Sequence, residues 1–274
     1  MRINTNMAAL NAWRSLTVNT NAMTKSLEKL SSGYRVNRAA DDAAGLAVSE
    51  KMRAQIRGLN MAIRNAQDGV SMIQTAEGGA QKIQDMLQRM RELAVQAANE
   101  TLTDEDKAQL DKEFKQLQAE IDRTAQSTTF NTKPLINASA TITIQVGPNT
   151  VAGVDSFSVS LFSMKTGDLG VDTGTVNIST ASDATTAITQ IDQALELVSG
   201  YRADFGAVQN RLESAIETLQ IQAENLTAAE SRIRDVDMAK EMANFTKYQI
   251  LQQASTAMLA HANMSTQAIL TLLR

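Results

Sequence analysis

Residues 191–233 read IDQALELVSGYRADFGAVQNRLESAIETLQIQAENLTAAESRI and carry an unbroken seven-residue apolar repeat. Such a repeat predicts a long helix that packs in a left-handed supercoil and serves packing and assembly. The positions four residues further on are mixed in character, so we expect a bundle, with some polar positions facing other chains, rather than a two-stranded coiled coil. The repeat is Ile191, Val198, Phe205, Leu212, Leu219, Leu226 and Ile233, and the mixed positions are Leu195, Arg202, Gln209, Ile216, Ala223 and Glu230.

The first 126 residues contain no proline and space their apolar residues three and four positions apart, as on one face of a helix. We predict one helix over about residues 45–99, about 80 Å long at ~1.5 Å per residue. Thr103 and the three acids after it predict the start of a shorter helix, because threonine caps helix N-termini and acids favour the first turn. The two apolar tracks of the long helix are Ile56, Leu59, Ile63, Ala66, Val70, Ile73 and Ile83, Leu87, Met90, Ala94, Ala97.

The C-terminal stretch carries a weaker stripe that mixes apolar, small and polar residues. Its spacing indicates another helix, on which we predict that Met258 and Leu272 serve assembly. The stripe is Leu251, Ala254, Met258, His261, Ser265, Ala268 and Leu272.

Residues from about 127 to 182 change character and become rich in Thr, Ser, Gly and Val. Residues 141–146 and 156–161 alternate apolar and polar side chains with a period of two, which is typical of half-buried strands. Gly147, Pro148 and Gly153 lie between them, so a β-hairpin with a long loop is predicted. Val176 and Ile178 predict a third short strand.

The composition of the 274-residue chain agrees with long packed helices: 43% of residues are apolar, 4% are aromatic, two are proline and none is cysteine. The predicted fold class is mainly α, an elongated antiparallel helical bundle or coiled coil with a small β-hairpin region and with both termini at one end. The lack of cysteine excludes a disulfide scaffold and a thiolate metal site.

The charge balance and the hydropathy of the chain argue against nucleic-acid binding and against insertion into a membrane. The balance of 26 basic against 30 acidic residues argues against nucleic-acid binding. No run reaches the ~18 apolar residues of a membrane span, so no membrane insertion is expected. The start MRINTNMAALNAWRSL lacks the apolar core and cleavage site of a signal peptide, so we expect a cytoplasmic protein or one exported without a cleaved signal.

No catalytic, metal or cofactor site is predicted. His261 lies among Ala and Met without the partners of a metal motif. Asp41 and Asp42 are adjacent and would point to different sides of a helix. The pair at residues 78–79, both glycine, lacks the Lys-Ser/Thr of a phosphate loop, so a close helix approach or a bend is favoured. We therefore predict that the chain is not an enzyme.

Several ordered blocks closely resemble bacterial flagellins, over roughly residues 1–137 and 186–274. The longest, residues 27–47, reads LEKLSSGYRVNRAADDAAGLA, and residues 87–96 read LQRMRELAVQ. Further blocks are MRINTN at residues 1–6, QDG at 67–69, QTAEG at 74–78, NL at 225–226 and SRIRDVDMA at 231–239. Two positions depart from the family: His261 replaces a common glutamine, and Thr266 stands where a proline is common.

The resemblance implies a two-layer organisation of a helical filament. Residues 1–45 and 237–274 correspond to an inner coiled-coil terminal domain, and residues 46–236 to a surrounding helical rod domain that includes the β-hairpin region. Because the centre is short, the resemblance implies a short form without the large outer domains of other members.

The implied function is a structural subunit that self-assembles into the flagellar filament for motility, outside the cell, after type III export. The implied partners are further copies of the chain, an export chaperone, and the hook-junction and cap proteins. Three alternatives stay open: a hook-filament junction protein, a secreted ligand of a host innate immune receptor, and an intracellular coiled-coil adaptor.

The resemblance also implies a surface that a host Toll-like receptor reads. That receptor recognises an arginine and a leucine in the Arg-x-Arg-Glu-Leu block and an acidic residue on the next helix. The matching positions are Arg89, Leu93 and Glu113, with Gln88 beside them.

Overall fold

The computed structural model describes the backbone of residues 6–149 and 155–272, and the side chains of residues 6–149 and 155–265. Its elements confirm a mainly helical chain with a small β-hairpin region. Within the described residues they are α1 (Met7–Ser32), α2 (Ala43–Ala97), α3 (Asp104–Ser127), β1 (Thr129–Phe130), β2 (Lys133–Pro134), β3 (Ala140–Gln145), β4 (Ser156–Leu161), α4 (Ala181–Arg234) and α5 (Met238–Leu272).

The chain divides into two compact units. The terminal unit comprises residues 1–56 and 224–274, and the central unit comprises residues 57–223. The predicted assignment of chain segments to an inner and an outer filament layer concerns the assembled state and stays a prediction.

Side-chain caps fix where the helices begin. Thr103 Oγ1 accepts a hydrogen bond from the Asp106 N–H, and the Asp106 carboxylate accepts one from the Thr103 N–H, each at 3.3 Å. This reciprocal capping box confirms the predicted helix start at Thr103. Asn6 caps α1 by accepting from the Ala9 N–H at 3.0 Å, and Gly33 ends α1 in the left-handed conformation at φ 74°.

In the terminal unit, α1 and α5 pack antiparallel. Asn6 Nδ2 donates to the Ala262 carbonyl at 2.9 Å, and Asn19 Nδ2 donates to Ser255 Oγ at 3.0 Å. Covered positions alternate three and four residues apart on both helices, which is coiled-coil spacing. They are Ala9, Ala12, Leu16, Asn19, Met23, Ser26 and Leu30 on α1, and Glu241, Phe245, Tyr248, Gln252, Ser255, Leu259 and Ala262 on α5.

The stripe predicted on the C-terminal helix is not the face that packs on α1. Leu251 is 37% exposed, Met258 is 63% exposed and His261 is exposed. The packed row of α5 includes Phe245, Tyr248 and Leu259. The predicted role of Met258 and Leu272 in assembly stays a prediction. The side chains of Ala268 and Leu272 lie outside the described residues.

In the central unit, α2, α3 and α4 contribute to one hydrophobic core. Residues of the seven-residue repeat are buried in it from Ile191 to Leu212, and Leu219 is 7% exposed. The last two members, Leu226 and Ile233, are half-buried in the terminal unit. The repeat therefore marks the packed face of α4 over its whole length, with the deepest burial in the central unit.

Two hairpins complete the central unit. β3 and β4 pair antiparallel, with Ile142 opposite Val159, which confirms the predicted hairpin. The sequence analysis missed the shorter pair β1–β2, which turns through Asn131 and Thr132, both with positive φ. Such two-residue turns favour Asn-Gly, and this one lacks the glycine that signals them.

The predicted third strand at Val176 and Ile178 is wrong. Both residues are buried but lie outside any strand. Side chains of α3 satisfy their backbone: Gln118 Nε2 donates to the Val176 carbonyl at 3.2 Å, and Asp111 Oδ1 accepts from the Ile178 N–H at 3.3 Å. The two α3 side chains therefore satisfy backbone groups that a neighbouring strand would otherwise pair with.

Candidate assembly and recognition surfaces

The terminal unit leaves many large apolar side chains uncovered. Trp13 is 59% exposed and Val18 is 61% exposed on α1, and Ile250 is 61% exposed on α5. Exposed apolar groups in such number are typical of a surface that binds another protein. The other exposed members are Met7, Leu10, Leu27, Val48, Met238, Met242, Leu251, Met258 and Met264.

The seam between α1 and α5 mixes large apolar side chains with small and polar ones. The polar members are Asn19, Ser26, Glu241, Gln252 and Ser255, and Ser26 is buried. Small and polar residues bury little apolar area, so these positions add little to the stability of the pair.

The segment after α1 joins the segment after α4 through the backbone. The Arg35 N–H donates to the Arg234 carbonyl at 2.6 Å, and the Val236 N–H donates to the Gly33 carbonyl at 3.0 Å. Tyr34 and Asp235 form an isolated antiparallel bridge. These bonds hold the two chain segments together within the terminal unit.

Arg234 organises this joint. Its side chain is 12% exposed, Nη1 donates to Glu50 Oε1 at 2.7 Å, and its guanidinium lies over the Tyr34 ring, 4.6 Å from the centroid. The hydrogen bond from Arg234 holds the pKa of Glu50 below its ordinary value, and Arg53 lowers it further. The glutamate therefore stays charged beside Arg234 at neutral pH.

The two adjacent aspartates have structural roles. Asp41 Oδ2 accepts from the Arg38 N–H at 3.0 Å and from the Asn37 N–H at 3.3 Å, and the bond from Arg38 is the main cause that lowers the pKa of Asp41. Asp42 Oδ1 accepts from the Gly45 N–H at 2.8 Å, at the start of α2. The pair shapes the turn that leads into α2.

The candidate recognition residues are brought together on α2 and α3. Arg89 donates from Nε and Nη2 to Glu113 Oε1 at 3.1 and 3.0 Å, and from Nη1 to Glu92 Oε2 at 2.9 Å. The hydrogen bonds to Glu92 and Glu113 raise the pKa of Arg89. Gln88 is exposed beside this cluster.

Leu93, the fourth candidate, lies in the core and is 1% exposed. A side chain this deeply buried presents almost no surface to a partner. Any contribution of Leu93 to recognition is therefore indirect, through the packing of α2.

Sequence reasoning did not single out the residues of the joint or the Asn19–Ser255 pair. An asparagine within a row of α1 that is otherwise mostly apolar was a signal for a seam contact. Nothing in the sequence marked Arg234 as a joint residue, because its partners Tyr34 and Glu50 are far away along the chain.

Across the part of the chain that the structure describes, no helix is both long and apolar enough to cross a membrane. Within the same residues, no group of three His, Asp or Glu side chains is placed to hold a metal ion. The helical fold and the uncovered apolar side chains of α1 and α5 are typical of a structural protein that binds other protein chains.

Comparisons with known proteins agree with this class. The family model of the bacterial flagellin N-terminal helical region matches residues 3–141, and that of the C-terminal helical region matches residues 188–273. The chain is 53% identical to a flagellin of Halalkalibacterium halodurans over 277 residues and 46% identical to a flagellin of Bacillus subtilis over 307 residues, with all of each chain covered. The crystal structure of Bacillus cereus flagellin is 35% identical with a TM-score of 0.50, over 61% of this chain and 94% of that one.

The chain belongs to the bacterial flagellin family. It is a structural subunit of the flagellar filament, a homopolymer outside the cell, and not an enzyme. The full-length match to a relative of similar size confirms the predicted short form. Nothing favours a hook-filament junction protein over a filament subunit.

Proposed function

We propose that α1 and α5 form the inner layer of the filament and that residues 46–236 form the layer around them. The observation that carries this proposal is the set of large apolar side chains that the α1–α5 pair leaves exposed, Trp13, Ile250 and Met258 among them. In the filament these side chains contact neighbouring copies. Head-to-tail contacts generate an open helix when the rotation between neighbouring copies does not close into a ring.

The free energy gained by covering these exposed side chains is large enough to drive assembly. Covering a side chain that is about half exposed contributes about 1 kcal/mol, and ~1.4 kcal/mol changes an affinity tenfold. Several such side chains per subunit therefore lower the concentration needed for polymerisation by many orders of magnitude before the cost of association is subtracted.

Two matched isoleucines test the proposal. Ile250 on α5 is 61% exposed. Ile221, on the part of α4 that belongs to the central unit, is 53% exposed. We expect Ile250→Asp to raise the critical concentration for filament formation at least about tenfold, because a buried carboxylate is strongly unfavourable. Ile221→Asp is the control and raises it less.

Truncation is the coarser form of the test. Removal of about 40 residues from either end leaves a helical fragment that no longer polymerises, as seen by negative-stain microscopy. Filaments that still form from the truncated chain, or equal effects of the two isoleucine variants, would contradict the inner-layer assignment.

The export route and the accessory partners belong to the same proposal. The chain leaves the cell through the flagellar type III channel, and an export chaperone, the hook-junction proteins and the cap protein bind it on the way. The absence of cysteine supports this route, because no disulfide has to be reduced before an unfolded chain is threaded through a channel.

A second function is recognition by a host Toll-like receptor. The supporting observation is that Arg89 and Glu113 lie within 3.0 Å of each other, half or nearly half exposed, with Gln88 beside them. An exposed arginine that faces two carboxylates has hydrogen-bonding groups available for a second protein.

A cell reporter assay on the monomeric protein tests this function. Arg89→Ala lowers potency at least about tenfold, because arginines are over-represented among the residues that dominate interfaces. Arg123→Ala is the matched control, since Arg123 is an exposed arginine of α3 that pairs with Glu120. Unchanged potency of Arg89→Ala would contradict the proposal.

A further inference from the structure

The methionines of the chain are unevenly distributed between the two units. Within the described residues, six methionine side chains are about half exposed or more, and five of these lie in the terminal unit. The sixth is Met61 in the central unit, where Met72, Met90 and Met164 are buried. The five exposed ones are Met7 (62%), Met238 (50%), Met242 (50%), Met258 (63%) and Met264 (53%).

Exposed thioethers react with peroxide. The Met Sδ lone pair attacks one peroxide oxygen, an S–O bond forms and the O–O bond breaks. The proton of the transferred oxygen passes to the departing hydroxide, which leaves as water, and the sulfoxide S=O remains. Sulfur is oxidised by two electrons and hydrogen peroxide is reduced. The product, a sulfoxide, is polar and hydrogen-bond accepting, and it disrupts methionine-rich interfaces.

We propose that Met7, Met238, Met242, Met258 and Met264 form a modification site, the terminal methionine set, whose oxidation by hydrogen peroxide blocks incorporation of the subunit into a filament. This inference rests on the proposed role of α1 and α5 as the inner layer. In the free subunit the set is accessible. In the filament the same side chains are covered, so assembly both depends on their reduced state and protects it.

The position of the set explains why its oxidation acts on assembly and not on the fold. The five side chains lie outside the core, so their sulfoxides remain hydrated in the free subunit and cost the fold little. Covering a sulfoxide against a neighbouring copy removes that hydration without supplying a partner, which is unfavourable for each group buried.

Met61 provides an internal control. It is 49% exposed, similar to Met238 and Met242, but it lies in the central unit, and the Arg64 guanidinium donates a hydrogen bond to its sulfur. Its lone pair is therefore less available, and its oxidation does not alter the terminal helices.

The first experiment maps the sites. Full-length monomer and preassembled filaments are treated with hydrogen peroxide, and sulfoxide at each methionine is measured over time by peptide mass spectrometry. In the monomer the terminal methionine set is oxidised at least about tenfold faster than Met72, Met90 and Met164. In the filament the set is oxidised no faster than these buried methionines. Equal rates for the set and the buried methionines of the monomer would overturn the proposal.

The second experiment measures assembly. Peroxide treatment of the monomer raises the critical concentration at least about tenfold, and subsequent repair by the two stereospecific methionine sulfoxide reductases restores it. Circular dichroism of the treated monomer stays unchanged, which separates blocked assembly from unfolding. Failure of the reductases to restore assembly, once mass spectrometry shows the sulfoxides removed, would contradict the proposal.

Variants of the methionines test which of them make assembly sensitive to peroxide. A chain with leucine at all five positions of the set assembles after peroxide treatment as it does before, whereas Met61→Leu remains as sensitive as the unaltered chain. Peroxide sensitivity that persists in the five-leucine chain would overturn the proposal. If that chain does not assemble even untreated, the repair experiment on the unaltered sequence decides.

The outcomes separate this inference from the proposal on which it rests. Filaments whose terminal methionine set oxidises as fast as in the monomer would contradict the inner-layer assignment. Filaments that protect the set, formed equally well from oxidised and reduced monomer, would leave the inner layer intact and overturn the oxidation site alone.

Discussion

Thr132 holds a left-handed backbone conformation, with φ at 65°, that β-branched residues rarely adopt. Its neighbour Asn131 is at φ 46°, and asparagine tolerates this region better than β-branched residues do. The two-residue turn between β1 and β2 requires both conformations. The turn therefore carries local strain at Thr132.

Replacing Thr132 by glycine relieves this strain. We expect Thr132→Gly to raise the free energy of unfolding by about 1 kcal/mol, since a left-handed non-glycine residue costs ~1–2 kcal/mol and glycine loses part of the gain to entropy. Thermal unfolding followed by circular dichroism measures it. Thr129→Gly, in the strand itself, is the control and lowers stability; a lower stability of Thr132→Gly would contradict the strain.

Glu50 makes the joint of the terminal unit sensitive to pH. The hydrogen bond from Arg234 lowers the pKa of Glu50 in the folded chain, so its charged form contributes stability above the pKa of the unfolded chain. That contribution is lost as the pH falls through the folded pKa.

The melting temperature of the unaltered chain is expected to exceed that of Glu50→Gln at about pH 6. The difference shrinks as the pH falls below the ordinary pKa of ~4.3 and vanishes below the lowered pKa of the folded chain. Glutamine keeps the size and the accepting oxygen of the side chain, so the difference isolates the charge. Glu105→Gln, at an exposed residue of the first turn of α3, is the control for general charge effects. A difference that grows as the pH falls would contradict this account of the joint.

At the level of the helices and strands, the sequence predicted most of the architecture. The seven-residue repeat identified α4 and its buried face, and the apolar tracks identified α2, because helix periodicity acts within one element. The sequence did not predict which face of α5 packs on α1. Apolar spacing marks faces that become buried, but it does not distinguish burial within one chain from burial between copies.

Other features depended on distant parts of the chain. The backbone at Val176 and Ile178 is held by Gln118 and Asp111 of α3, so a local alternation pattern could not distinguish this segment from a strand. The burial of Leu93 was not predicted either. The family resemblance implied that Leu93 contacts a receptor, but it did not indicate which residues pack around this side chain.

The Asn19–Ser255 hydrogen bond sets the pairing of α1 with α5. It crosses the seam at 3.0 Å between two half-buried side chains, where a polar contact favours one register over others. A double-mutant cycle of Asn19→Ala and Ser255→Ala is expected to give a coupling energy of about 1 kcal/mol. Denaturant unfolding of the full chain, followed by far-UV circular dichroism, measures it.

The matched pair for this cycle is Asn19→Ala with Thr256→Ala, because Thr256 is exposed next to Ser255 and bonds to the carbonyl of its own helix. The control cycle gives no coupling. Equal coupling in both cycles would show that the Asn19–Ser255 contact has no special role in the register.

For the molecule as a whole, the terminal and central units differ in how far they bury their large apolar side chains. The central unit buries much of its apolar repeat in its own core, whereas the terminal unit leaves many large apolar side chains exposed. Under the proposal above, the central unit supplies stability and the terminal unit supplies the contacts between subunits. The same division accounts for the concentration of exposed methionines in the terminal unit.

Trp13 is the one tryptophan of the sequence and is 59% exposed on α1, so its fluorescence reports directly on the face proposed to contact other copies. The emission of Trp13 is compared in the monomer and in filaments of the same unaltered chain, with acrylamide quenching of each. Burial of α1 in the inner layer predicts a blue shift and at least about fivefold weaker quenching in the filament, as for a side chain removed from water. Unchanged emission and equal quenching in filaments would contradict assembly through the terminal helices.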